Sequence, residues 1–447
     1  MPTSRLLIFG AAAILAASTA AADTFYVDDS GSDTNAGTFA APFKTITKGL
    51  SLLDGAGDIL YVRGGTYAES LWIENKNGSS GSEIRIAGYN GERPVIDATN
   101  VNPNSTTVSI NTSSYLHFTG FVVKNSPKNG IKVWNSHHVN IEQNTVTTSA
   151  GYGIHAGSDV FGTTHDILIR GNVVSDTVRS NVAGTSSSGW VQAVSSFKAD
   201  YVTITGNQVY ENYGEGIDCI LSDHCTITGN TVWDNFGTNV YLDNAQYALV
   251  DGNFIYNTGN PQYFRGGEPS PGITVANETY TGGFQNPANY LTITNNIVVR
   301  CKSGFVYYNS DEGGGLHNTL IANNTFYQSY SSAYRLIYIE ADSHDTTIVS
   351  NNIFYQRYDV GYAWAPTTGF TWRTNNWYGG RADTEIDGTN DVLQDPKLVY
   401  PGGVTPADYK LKDDSPLRTT GTTESGVSKD YFGTTRTSSY SIGAHEH

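Results

Sequence analysis

The stretches Thr203–Tyr210 (TITGNQVY), Thr226–Trp233 (TITGNTVW) and Leu249–Tyr256 (LVDGNFIY) repeat one phrase: a short β-rich run reaches an Asn and resumes as a second β-rich run. The phrase recurs as IEQNTV (Ile141–Val146), ILIRGNVV (Ile167–Val174), TITNNIVV (Thr292–Val299), LIANNTFY (Leu320–Tyr327) and TIVSNNIFY (Thr347–Tyr355). Its Asn falls at 144, 172, 207, 230, 253, 296, 324 and 352, in steps of 28, 35, 23, 23, 43, 28 and 28. A bare period of 23 with no helix-forming run inside it predicts an all-β parallel solenoid, with about three short strands and three turns per coil. Asn suits the repeated turn because it tolerates the left-handed backbone region and its side chain can bond the Asn one rung away. Leucine-rich repeats share the period but need a Leu-rich consensus that is absent here, and a propeller needs a longer repeat.

The remaining composition fits one elongated domain, because solenoids grow by stacking. Glycine (48) and tyrosine (29) are abundant, with little that favours helix. Residues 1–22 carry Arg5, an apolar run from Leu6 to Ala17 and a closing Ala20-Ala21-Ala22, the pattern of a secretory signal cut near Asp23. An exported, monomeric protein with no membrane span is expected, with an N-terminal cap and first coils over 23–110, the helix core over 111–380 and a closing segment over 381–447. A net charge of −16 argues against nucleic acid as partner, since that needs a basic stripe. Three cysteines cannot all pair within the chain: Cys219 and Cys225 are close enough for a local disulfide, but a buried free thiol at Cys219 fits equally well.

The mature start, TFYVDDSGSDTNAGTFAAPFKTITKGLSLLDGAGDILYVRGGTY followed by GSEIRIAGYNGERPVIDA, resembles the opening of secreted bacterial right-handed parallel β-helix proteins of the pectate lyase and polysaccharide lyase type. The tail, from DPKLVYP through DYKLKDDSPLRTTG to KDYFGTTRTSSYSIGAHE, resembles the segment that closes such proteins. The resemblance implies a capping helix over Phe43–Leu53, structural places for Asp430, Arg436 and Glu446, and a polysaccharide as substrate. The run of closely spaced aspartates that holds calcium in the lysine-base pectate lyases is not found, nor are the paired-Asp and Gly-His-Gly signatures of polygalacturonases.

Aligning the coils on their Asn puts GIKVW, GIHAG, AVSSF, GIDCI, NVYLD, GITVA and GFVYY in register, with Ile131, Ile154, Val194, Ile217, Val240, Ile273 and Phe305 as an inward stack. Their successors, Lys132, His155, Ser195, Asp218, Tyr241 and Thr274, then point outward, as does a second column of Trp134, Gly157, Phe197, Ile220 and Asp243. Where a step exceeds 23, the surplus flanks this strand: Val178–Gly189, Asn257–Pro271, Asn277–Asn289 and Glu312–Asn318. Loops that grow on both sides of one sheet build a groove. They bring Trp190, Tyr263, Phe264, Arg265, Tyr280 and Phe284, side chains suited to sugar rings.

The densest chemistry is ENYGEGID, with Glu211, Tyr213, Glu215 and Asp218, followed one coil later by WDNFGTNVYLDN. Asp218 should stack on Tyr241 with Asp243 diagonal to it, so Glu215, Asp218 and Asp243 are candidate acid/base groups or Ca²⁺ ligands. β-Elimination on a uronate polymer needs a cation for the substrate carboxylate and a base for the neighbouring proton. Lys198 is the nearest base, His155, Lys132 and Tyr241 are others on the face, and Arg265 can clamp a carboxylate. Lys132, Trp134, His155, Trp190 and Tyr213 complete the expected substrate contacts. A lyase of a uronate-containing polysaccharide is the leading expectation. A glycoside hydrolase using the same carboxylates and a non-catalytic carbohydrate-binding solenoid are its rivals. Lysines 132 and 198 also read as ordinary solvated side chains, and Glu211 and Asp234, on another strand, as turn residues.

Overall fold

The computed structural model describes residues 22–447 except 186–189, 281, 282, 285, 286, 310–313, 381–385 and 387, and the side chains of 283 and 284 are also undescribed. The predicted leader therefore lies outside the described residues apart from Ala22, as does the Phe284 side chain.

Each phrase folds as read. In TITGNQVY, Thr203 and Thr205 face outward and Ile204 is fully buried, the alternation of a half-buried strand. Successive copies pair in parallel, Ile204 on Ile227 on Val250 on Ile293. Among the described residues the coils build three parallel sheets. The first has 13 strands, from Thr24–Val27 to Phe370–Arg373; the second has 11, from Leu71–Glu74 to Ala363–Trp364; the third has 12, from Thr66–Tyr67 to Asn376–Tyr378. The chain is a parallel β-helix, and the inward stack from Ile131 to Phe305 sits wholly inside it on the second sheet.

The Asn residues form one continuous ladder from Asn144 to Asn375. Asn207 shows its unit: its backbone N–H and its Nδ2 both donate to Asn230 Oδ1 (2.9 and 3.0 Å), and Nδ2 also donates to the Ile169 carbonyl (2.9 Å). The pattern repeats at Asn230, Asn253, Asn296, Asn324 and Asn352, and Asp391 accepts the last backbone N–H, from Asn375, at 2.8 Å. Bonding along the ladder agrees with the sequence reading, but the backbone expectation is corrected. The left-handed residue is the one before each ladder Asn: Gly206 (φ 64°), Gly229 (φ 61°), Gly252 (φ 63°), Asn295 (φ 53°), Asn323 (φ 55°) and Asn351 (φ 53°). That turn aims the following Asn inward, where its amide must find protein partners.

The ends are closed as the resemblance implies. The capping helix is shorter than the predicted range, Ile46–Leu50, with Thr45 accepting from Lys48 N–H at its start. At the other end Arg436 is buried, paired with Glu446 at 2.8 Å and donating to Asn295 Oδ1 at 2.9 Å, while Asp430 accepts from Glu446 N–H. These three residues fasten the tail to the solenoid. Of the alternatives open at the cysteines, Cys219 and Cys225 form a disulfide, and Cys301 is buried and free. No helix of the described residues is long and apolar enough to cross a membrane.

The ladder generates a stability prediction. Asn230→Ala strands a buried N–H, a buried amide and a carbonyl together, so unfolding in urea should show a loss of roughly 2–4 kcal/mol, with Asn230→Asp at neutral pH losing at least as much. A loss no larger than that of an exposed Asn→Ala control would show that the ladder is not a stabilising element.

Candidate active site

Register places the candidates. Gln192 pairs with Glu215, Ser195 with Asp218, and Asp218 with Tyr241, while Asp243 lies beside Ile220. The predicted outward direction holds for the backbone, but the expected exposure does not: Asp218 is 0% exposed, Asp243 2% and His155 5%. Side chains from the inserts cover the two aspartates, while Tyr152, Trp134 and Phe197 cover His155. Trp190 arrives from the insert before the Gln192–Phe197 strand; Arg265, Glu278 and Tyr280 arrive from the two inserts around Ile273–Ala276.

Two adjoining cavities result. One, of 630 Å³, is walled by Tyr152, Trp190, Gln192, Phe197 and Tyr280 over Glu215, Asp218 and Asp243. The other, of 730 Å³, runs towards Tyr334, Tyr338 and Trp364. Glu215, Tyr241, Arg265 and Tyr308 line both, so they stand at the junction. A chain long enough to fill both cavities crosses the junction that Glu215 forms with Tyr241, Arg265 and Tyr308.

The partners of the four carboxylates differ. Glu215 accepts from Gln192 Nε2 at 2.8 Å and Trp190 Nε1 at 3.2 Å. Asp243 accepts from the Tyr280 hydroxyl. Glu278 accepts from Tyr241 at 2.6 Å and from Tyr308, whose hydroxyls also touch each other. Neither oxygen of Asp218 meets a donor. Its neighbour is the Glu215 carboxylate, and two carboxylates can bond only when one carries a proton. Burial first, then the charges of Glu215 and Asp243, hold the Asp218 carboxyl well above the usual range; burial does the same for Asp243 and raises Glu215. Burial beside these anions also raises the hydroxyls of Tyr241, Tyr280 and Tyr308, and lifts Tyr152 to about 12. The tyrosines are therefore donors at neutral pH.

The remaining predicted residues are distributed as follows. Lys198 follows Phe197 in a left-handed turn (φ 49°); its ammonium lies over the Phe197 ring at 5.3 Å and the residue does not line either cavity. His155 lies behind the wall, bonded to Ser195 Oγ at 2.7 Å and stacked on Tyr152 at 4.1 Å; burial first, then Lys132, lowers it to about 3, so it is neutral. Lys132 covers the Trp134 ring at 3.7 Å and lines a separate 340 Å³ hollow with Lys128 and Trp72. Tyr213 is buried against Val178 and Tyr263 and accepts from Gln262 Nε2, a packing position rather than a substrate contact. Arg265 lies over the Trp190 ring at 4.7 Å. Glu211 and Asp234 are left-handed turn residues, and Asp234 accepts from Asn257 Nδ2 and Thr258 N–H.

Tyr152, Gln192, Glu278 and Tyr308 were not anticipated. Gln192 could have been found from its register with Glu215, and Tyr308 as the continuation of the Asp243 column. Glu278 depends on how the insert folds back, which the repeat does not encode.

Calcium can be tested against these residues. The unpartnered oxygens of Asp218 and Asp243 suit a cation, but the donor atoms of Glu215, Asp218 and Asp243 do not come within 4.8 Å of one another as a trio. A Ca²⁺ shell of ligands at about 2.3–2.6 Å needs that convergence. The predicted metal set of Glu215, Asp218 and Asp243 is not among the converging trios of the described residues.

A parallel β-helix with a tyrosine-walled, carboxylate-floored cleft over one sheet is the class of protein that these elements define. The chain belongs to the Pel9A-like right-handed β-helix family, whose model matches residues 25–253, and a general right-handed β-helix model matches residues 185–354. Comparison with curated proteins finds no match. Among solved structures the chain is similar to XylC in complex with xylose (TM-score 0.63, 14% identity, covering 94% of this chain and 98% of that one) and to the pectate lyase Pel9A (0.52, 16%, 96% and 98%). It is also similar to PfbA, a surface adhesin of Streptococcus pneumoniae (0.57, 12%, 80% and 92%). At these identities the likeness is one of fold.

The raised carboxyls fix the sign of a pH effect. A carboxyl that binds its proton more tightly when folded adds stability below its unfolded value of 3.8, and loses it as pH rises through its folded value. Asp218→Asn should therefore melt a few degrees above the parent at pH 7 to 8, and the gain should vanish below pH 3.8. A gain independent of pH in calorimetry would show that folding does not raise the Asp218 carboxyl.

Proposed function

We propose that this protein is a secreted, polysaccharide-active enzyme that cleaves a glycosidic bond at the junction of the two cavities, with Glu215, Asp218 and Asp243 as its acid/base carboxylates. The observation that carries this reading is the position of Glu215. It is the most accessible carboxylate of the trio, lines both cavities, and shares its surroundings with a neighbour that must be protonated if the two are to bond. In this scheme the proton shared by Glu215 and Asp218 passes through Glu215 to the bridging oxygen and leaves both ionised, while Asp243, in the ionised form that the Tyr280 hydroxyl favours, takes the proton of the attacking water; the pair regains its proton from solvent as Asp243 loses one. The Tyr152 hydroxyl donates to a sugar hydroxyl, Trp190 and Trp364 offer ring faces, and Arg265 orients the chain across the junction.

The second reading, β-elimination on a uronate polymer, is favoured by membership of the Pel9A-like family. It would use Arg265 on the substrate carboxylate and Lys198, one residue beyond the cavity wall, as base. Against it stands the position of Lys198, which lines neither cavity.

The two chemistries leave different products. With neutral and uronate-containing polysaccharides, new reducing ends without an ultraviolet-absorbing unsaturated sugar are expected, insensitive to chelator. Glu215→Gln should lower kcat by roughly 10²–10⁴-fold, and Lys198→Ala should leave it unchanged. An unsaturated product lost with chelator or with Lys198→Ala would establish elimination instead, and binding without any product would place the chain among carbohydrate-binding solenoids.

A further inference from the structure

The outer face of the first sheet, away from the cleft, carries a second cluster. His137 pairs with His165 in the sheet register, and His138 and Asp166 are the left-handed residues (φ 54° and 53°) that follow them on adjacent coils. A left-handed residue in a strand turns its side chain out of the usual alternation, so four polar side chains that would otherwise face opposite ways meet on one surface. The rings of His137 and His165 stack in parallel at 4.8 Å, and Tyr115 covers His138 at 4.4 Å.

Ring nitrogens and carboxylate oxygens in this cluster converge. Asp166 Oδ2 lies 2.7 Å from His165 Nδ1 and 3.7 Å from His138 Nε2, and one donor atom from each residue lies within 4.8 Å of the others. Among the described residues this is the trio of His, Cys, Asp and Glu that does so. Bonds of about 2.0–2.2 Å to a tetrahedral metal place neighbouring donors roughly 3.3–3.5 Å apart, a value between the two distances observed. His137 and His138 also face each other through their Nδ1 atoms at 2.9 Å, so one of them must accept. Where His137 accepts, His138 carries its proton on Nδ1 and presents a bare Nε2 to Asp166 Oδ2 at 3.7 Å, a pair of lone pairs that a metal ion can bridge.

We propose that His138, His165 and Asp166 bind a zinc-class divalent transition metal that clips two successive coils together on the face opposite in function to the cleft, with His137 as the positioning residue for His138. Two imidazoles and a single carboxylate favour Zn²⁺, Ni²⁺ or Cu²⁺ over Ca²⁺, which wants oxygen. A fourth position is left to water.

The test uses the full-length folded protein, stripped with chelator and titrated with Zn²⁺ by calorimetry, with Co²⁺ absorption reporting the ligand set. One Zn²⁺ per chain, a thermal midpoint that rises with Zn²⁺, and no competition by Ca²⁺ are expected. His138→Ala and His165→Ala should abolish the Zn²⁺ binding and the thermal shift while circular dichroism shows the parent fold. His137→Phe, which keeps the stacked ring but removes the acceptor, should weaken binding by roughly 10–100-fold. His447→Ala, at a second exposed His-Asp pair with Asp413, should change nothing. Absence of saturable binding in the parent, undiminished binding in a His138→Ala/His165→Ala double variant, or loss in His447→Ala alone would overturn the assignment.

Discussion

Every later feature of this molecule depends on the amide ladder through the Asn turns. A buried Asn side chain has four hydrogen-bonding capacities, and each interior rung uses all of them on the rungs beside it or on a strand carbonyl. A rung cannot slip along the coil without orphaning both neighbours. The spacing between coils is thereby fixed at the interstrand distance of about 4.8 Å, and residues at equal distance from the ladder lie above one another. Other columns inherit that register. Ile and Val stack within, and Tyr201, His224, Tyr247 and Tyr290 stack ring on ring outside.

The same constraint has an electrostatic consequence on the second sheet. Carboxylates placed on adjacent coils cannot drift apart to relieve repulsion, because the ladder holds their strands. Asp234 shows how a buried carboxylate is accommodated when the role is structural, with its oxygens taken by an amide, a backbone N–H and a hydroxyl. Asp218 has no such donors and sits next to Glu215. Protonation is the response open to it, and a proton held between two carboxylates facing a cleft is what acid/base chemistry uses. The difference between these two aspartates separates a turn from a site more clearly than burial does.

Period and alternation were enough to foresee the three-sheet solenoid, the inward stack and the grouping of Glu215, Asp218 and Asp243, because all follow from counting residues back to an Asn. Counting could not foresee what the inserts do after leaving the strand. It gave Asp218 and His155 outward directions but no cover, and it left Glu278 unnoticed although its carboxylate organises Tyr241 and Tyr308. Lys198 was one residue from the wall in sequence, yet its left-handed backbone carries it around the corner of the coil. The turn itself was misplaced by one residue for a related reason: Asn tolerates a left-handed backbone, but here the position before it takes that conformation so that the amide can point inward.

The unequal steps explain why the cleft lies where it does. A continuous floor needs neighbouring coils without insertions, and the two consecutive 23-residue steps, from Asn207 to Asn230 and on to Asn253, supply it with Glu215, Asp218, Tyr241 and Asp243. Walls need surplus chain, and the long steps lie on either side: 35 residues before, bringing Trp190, and 43 after, bringing Arg265, Glu278 and Tyr280. Insertion within the floor coils would part the carboxylates, and trimming of the flanking coils would expose them to water and return their protons to ordinary behaviour. A buried acid/base cluster on a solenoid is therefore confined to a boundary between economical and expanded coils, and this chain, in its described residues, places its carboxylates at that boundary.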